Sequence, residues 1–177
     1  MFEFTCSICG EVHAGAPAFA IDLPADALFL TPSERDERVE ASPELCIIRP
    51  DDHDPEGEAL YFIRATLALP IQGSRRPFMW TLWVAQTEEC FYDHAETLGE
   101  SRAGVTATGM LSVALPLYDD SAGDEPLAEL PCTVAWGAAG KRPVITLGDG
   151  DHPLIVDQQE GMSEERAVAL SEIMLHG

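Results

Sequence analysis

The stretch Leu60-Tyr61-Phe62-Ile63-Arg64-Ala65-Thr66-Leu67-Ala68-Leu69-Pro70-Ile71 decides the fold class. It is too long for a loop and too rich in β-branched and aromatic residues for a surface helix. Read with a period of two, Ile63, Ala65, Leu67 and Leu69 share one face. Phe62, Arg64, Thr66 and Ala68 share the other. A half-buried Arg64 calls for an acidic partner. Gly73-Ser74-Arg75-Arg76 supplies a turn, and Phe78-Met79-Trp80-Thr81-Leu82-Trp83-Val84-Ala85 supplies a second strand. The two form a β-hairpin. Trp80 and Trp83 fall on opposite faces, which rules them out as a base-stacking pair. One belongs to the core, and the other to a surface under a helix or at a ligand.

Other strands lie to either side. Phe19–Leu23 reads as an extended segment ended by Pro24, and Leu45-Cys46-Ile47-Ile48 as a buried strand in which Cys46 sits among apolar neighbours. Val105–Leu115 is a strand with Gly109 inside it, marking a bulge or a close approach by another segment. Cys132–Trp136 and Pro143–Leu147 form a further hairpin across Gly137-Ala138-Ala139-Gly140. Three helix starts are written in capping residues. Thr31-Pro32-Ser33-Glu34 is a capping box with proline at the first helical position. Thr87 precedes Glu88 and Glu89, and the helix it starts closes at Gly99; His94 reads as one of its exposed residues. Ser163 caps a last helix over Glu164–His176. The sum is an α+β fold: a mainly antiparallel sheet with two or three helices packed on one face. One domain, residues 1–177, is expected, with a knuckle hairpin over 1–18 and the α+β body over 19–177.

The knuckle is Cys6-Ser7-Ile8-Cys9-Gly10-Glu11-Val12-His13. Cysteines two residues apart can turn both sulfurs to one point, and Gly10 supplies the positive φ of such a turn. This is half of a zinc-ribbon signature, in which zinc takes four N/S ligands. The other half is missing, because no second Cys-x-x-Cys occurs. His13 is a candidate third ligand, although a straight strand carries it about 13 Å beyond Cys9 at about 3.3 Å per residue. Cys46 is the expected distant fourth. The competing readings are a metal-free remnant of a ribbon and a redox pair. Thioredoxin-type pairs open a helix, and Gly10–Pro17 does not read as one.

The 177 residues carry 31 acidic and 10 basic side chains, a net charge of −21. That field repels phosphate backbones, so nucleic acid is not an expected partner. It attracts a basic protein. No apolar run approaches the length of a membrane span, and no basic segment followed by an apolar stretch marks a secretory leader. Five cysteines, an odd count, argue against a disulfide framework. The reducing cytoplasm is the expected compartment. Two acidic loops, Pro50–Glu58 and Asp119–Glu125, read as solvated, since the first lacks the spacing of a calcium loop.

The order of motifs resembles the bacterial family known as domain of unknown function 2199. The residues that carry the resemblance are Cys6-x-x-Cys9-Gly10-x-x-His13, Leu45-Cys46-Ile47, Phe62-Ile63-Arg64, Trp80-x-x-Trp83-Val84, Gly109-x-Leu111 and Leu115-Pro116-x-Tyr118. Arg142-Pro143, His152-Pro153-Leu154, and Gly161-Met162-Ser163 before a helix ending at His176 continue it. The loop Asp119–Glu125 is longer here than the resemblance implies. The resemblance implies no activity.

Chemistry has few other anchors. No Gly-x-Ser-x-Gly elbow, P-loop or His-Glu-x-x-His motif occurs. His152 follows a Gly/Asp turn and precedes proline. With Asp149 or Asp151 it is a candidate base or ligand, and its alternative is a loop hydrogen bond. Two functional expectations stand beside a third reading, a bare structural domain with no ligand. One is a non-catalytic acidic binding protein, immunity-type or regulatory, with a structural zinc knuckle. The other is a metal- or histidine-dependent enzyme built on His152, with Arg64 gripping an anionic small molecule.

Overall fold

The computed structural model describes residues 2–53, 57–118 and 128–177. In chain order its elements are β1 (Glu3–Thr5), β2 (Val12–Ala14), β3 (Ala18–Ala20), a 3-10 helix (Ala25–Phe29), α1 (Pro32–Arg38), β4 (Val39–Ala41), β5 (Leu45–Ile48), β6 (Leu60–Leu69), β7 (Phe78–Gln86), α2 (Glu88–Glu96), β8 (Thr106–Val113), β9 (Ala128–Ala135), β10 (Val144–Leu147), α3 (Pro153–Glu160) and α4 (Glu164–His176). The loop Asp119–Glu125, and residues 54–56 of the first acidic loop, lie outside the described residues.

β6 and β7 pair antiparallel from Tyr61↔Gln86 to Leu69↔Phe78. Both strands are long enough to hold two different neighbours on their outer edges. β6 takes β5 along Leu60–Ile63 and, farther on, β10 in parallel at Thr66 and Leu67. β7 takes β3 in parallel at Met79–Thr81 and β8 beyond it at Ala85. β8, β9 and β10 are joined antiparallel. The ring β7-β8-β9-β10-β6 therefore closes on itself as a five-stranded barrel, while β3 on one side and β5-β4 on the other branch from it. The expected α+β class and the mainly antiparallel pairing hold. The expected layer arrangement does not, because the sheet rolls up instead of lying open with helices on one face, and four helices occur among the described residues.

The alternation that marks the strands also sorts the core. Ile63, Ala65, Leu67 and Leu69 of β6 and Phe78, Trp80, Leu82 and Val84 of β7 are buried in the main cluster with Val134, Ile145 and Leu154. The opposite face of the hairpin forms a second cluster of Phe62, Trp83, Cys46, Ile48 and Ala27. Trp83 thus lies under the 3-10 helix, and its Nε1 donates to the carbonyls of Ile21 and Asp22, both at 3.1 Å.

Helix starts follow the capping chemistry. The Thr31 hydroxyl accepts from Glu34 N while the Glu34 carboxylate accepts from Thr31 N. Thr87 and Ser163 cap α2 and α4. α3 is an addition to the expected helices. His152 caps it through Nδ1, which accepts from Leu154 N at 3.2 Å, and Pro153 takes the first helical position. Gln158 of α3 then bonds both Leu147 N and Ile145 O, which holds the helix along β10. A second correction concerns His94. It is buried and accepts from Trp136 Nε1 at 2.9 Å, so α2 turns this residue inward to the end of β9.

Gly109 lies within the β8–β9 ladder, opposite Cys132, and next to Met110, which pairs with Ala85 of β7. A Cβ built there would stand 2.6 Å from Val84 Cγ1 and 3.0 Å from the Ala85 carbonyl. Gly109→Ala is expected to lower stability by about 1–3 kcal/mol through this overpacking. The urea midpoint checks it, and an unchanged midpoint would mean that β8 does not approach β7 this closely.

Candidate metal centre

The knuckle begins with an anchor. Phe2 is buried in the main cluster and Phe4 packs against it. β1 then pairs with β2 so that Phe4 lies opposite His13 and Glu3 opposite Ala14. Between the strands the chain makes a tight turn: Cys6 N donates to Glu11 O at 2.8 Å and Gly10 N to Cys6 O at 2.9 Å, with Gly10 at φ 75°. The turn reverses the chain, and His13 returns alongside the cysteines instead of running past them. Its ring stacks on Phe4 at 5.4 Å, and its Nε2 stands 3.4 Å from Cys9 Sγ.

The fourth donor comes from the far end of the sequence. α4 carries His176 to the knuckle, with Nε2 3.2 Å from Cys6 Sγ. One turn earlier, Glu172 accepts a hydrogen bond from Ser7 N. Residues four apart share a helix face, so a single face of α4 both grips the backbone of the turn and delivers the imidazole. The Ser7 N–H holds the Glu172 carboxyl below the usual carboxylate range. The ligand atoms of Cys6, Cys9, His13 and His176 all lie within 4.8 Å of one another. Around a tetrahedral zinc the same six separations would be roughly 3.3–3.8 Å, from Zn–S near 2.3 Å and Zn–N near 2.0 Å. Small side-chain rotations close that difference. The donor set is a complete Cys2His2 and leaves no open position for a substrate, as in structural sites.

Cys46 is not in this group. It is fully buried in the second cluster beside Phe62 and Trp83, and burial pushes its thiol up to about 11. His176 takes the place expected for it. Its signal in the sequence was slight: a histidine closing an amphipathic helix, four residues after a glutamate.

The other candidates stand apart. His152 is engaged as the cap of α3. Arg64 lies over the Trp83 ring at 4.7 Å and donates to the carbonyls of Ile21 and Pro43. Backbone oxygens and a π-face thus take the place of the acidic partner expected there. The cleft beside Arg64's neighbour Arg142 is lined by neither His152 nor Arg64. In the first acidic loop, Asp51 Oδ1 accepts from His53 N, which makes a local turn. Among the described residues no helix is long and apolar enough to cross a membrane.

The family whose description is "uncharacterized protein conserved in bacteria", domain of unknown function 2199, matches residues 5–162, and the chain belongs to it. The match takes in Cys6, Cys9 and His13 and stops short of His176. No curated protein and no solved structure matches the chain.

Cobalt separates the two choices of fourth ligand. The wild type and Cys46→Ser are expected to give the same thiolate-to-cobalt absorption of a tetrahedral site. His176→Ala is expected to bind cobalt at least about tenfold more weakly, the scale of losing a placed ligand. Equal titrations for wild type and His176→Ala would remove His176 from the site.

Proposed function

We propose that the chain is a non-catalytic binding protein whose N-terminal knuckle is closed by a structural zinc held by Cys6, Cys9, His13 and His176. The observation that carries this reading is the convergence of four soft and borderline donors from the knuckle and α4 within 4.8 Å. Two thiolates and two imidazoles suit zinc better than magnesium or calcium, which take oxygen ligands. All five cysteines are free, which accords with a reducing cytoplasm where thiolates are kept for metal.

The role of the metal is to tie the first strands to the last helix. β1 and β2 form a two-stranded sheet of three-residue strands, separate from the large sheet. A lone hairpin is marginal in water. Phe2 and the Glu172–Ser7 bond hold it, and a zinc bridge adds a link between segments 170 residues apart. The remainder of the chain acts as one unit that presents an acidic surface. A net charge of −21 favours a basic protein partner and speeds the encounter with it.

The test is elemental analysis of tag-free protein purified without added metal. About one zinc per chain is expected, and none in the Cys6→Ser/Cys9→Ser variant. The variant should melt about 5–10 °C lower, the scale of losing a few kcal/mol in a chain of this length. Metal-free wild type that binds no added zinc would overturn the reading.

A further inference from the structure

The chain has only 10 basic residues against 31 acidic ones, yet Arg102, Lys141 and Arg142 line one cleft of about 690 Å³. Its walls come from the end of α2, the connection from α2 to β8, the end of β9 and the turn into β10. Arg142 is held in a two-pronged pair by Glu44, at 2.8 and 2.6 Å. Arg102 is paired with Asp93 and lies 4.8 Å over the Trp136 ring. Lys141 makes no ion pair among the described residues.

Beneath these cations are two donors without acceptors. The first is His94. Trp136 Nε1–H can only donate, so His94 Nδ1, 2.9 Å away, must carry its lone pair. The proton of the neutral imidazole is therefore on Nε2. Burial, followed by the charge of Arg102, holds this histidine below its ordinary value and keeps that neutral form near pH 7. His94 Nε2–H has no partner, and neither has Arg102 Nη1. Unpaired buried donors are costly, and two on one cleft call for an acceptor.

The chemistry selects the acceptor. Against the cleft's two carboxylates, Glu44 and Glu100, stand three cations and two unpaired N–H donors, a balance that favours an anion over a cationic or apolar ligand. The cleft is within the size range of small-molecule sites, about 300–1,000 Å³. A polyanion would meet the field of the whole acidic chain, whereas an ion of one or two charges meets chiefly the local donors. We propose that this cleft binds a small oxyanion, a carboxylate or a phosphate, with Arg102 and His94 as donors at its floor and Lys141 and Arg142 at its mouth. The floor atoms are out of solvent contact. Contact with a ligand oxygen therefore requires a local shift of the cleft lining around His94 and Arg102.

The test follows the Trp136 indole N–H by nitrogen-proton correlation NMR. Protein is titrated with inorganic phosphate and, separately, with acetate, against sodium chloride at matched ionic strength. The expected result is a saturable Trp136 shift with one or both oxyanions and none with chloride, while the Trp80 and Trp83 indoles stay in place. The anion that saturates at lower concentration identifies the ligand class. Lys141→Glu, which breaks no ion pair, and Lys141→Ala/Arg142→Gln should each weaken binding at least tenfold with the indole spectrum otherwise native. Shifts that merely follow ionic strength, or variants that bind as tightly as wild type, overturn the proposal.

Discussion

Nine successive cross-strand pairs join β6 to β7, and every other part of the sheet is attached to that hairpin. Its strands are twice as long as most of their neighbours, so each outer edge serves two partners in succession. One half of each edge closes the barrel through β10 and β8, and the other half carries β5 and β3. Both faces must then be apolar, because one fills the barrel and the other covers the second cluster. That requirement explains why Phe62 and Trp83 alternate with Ile63 and Leu82, and why Arg64 on the same face is tied down by carbonyls and an indole ring.

The same hairpin sets the geometry of the candidate metal centre. β3 docks on β7, which fixes where the chain leaves the knuckle. At the other end, Met162 bonds Pro70 and Gln72 at the β6–β7 turn, which fixes where α4 begins. α3 and α4 are further secured by Asp157, which accepts from the buried Tyr118 hydroxyl at 2.6 Å and lies 3.2 Å from Arg166. Two segments with no sequence proximity are thus brought side by side by one scaffold. Thirteen residues of α4 span the remaining distance to the cysteines. A metal bound there closes nearly the whole chain into a loop. Because the fold has already brought the ends together, little is spent on ordering such a site, and the free energy of metal binding goes into stabilising the folded chain.

Local chemistry was legible in the sequence, and closure was not. The hairpin, the capping residues Thr31, Thr87 and Ser163, and the turn of Cys6–Gly10 are each specified within a few residues. The parallel contact of β10 with β6 involves two register pairs far apart in the chain, and no periodicity announces it. α3 was hidden because histidine is an unusual cap and the helix is only eight residues long. His94 reads as exposed in the sequence because α2 is short and mostly polar, so its inward face is narrow: Phe91 and His94 are its buried residues. Cys46 was the natural fourth ligand on composition, since cysteine is the more specific zinc donor. The period of β5 turns it instead into the cluster under Trp83.

Two thiol sulfurs and two imidazoles, one of them from α4, lie close enough to surround one metal ion. X-ray absorption at the zinc edge of the tag-free protein reads that shell directly. Two sulfurs at about 2.3 Å and two nitrogens at about 2.0 Å are expected, with the ring scattering of two histidines. A shell of three sulfurs and one nitrogen, or one dominated by oxygen, would contradict that donor set.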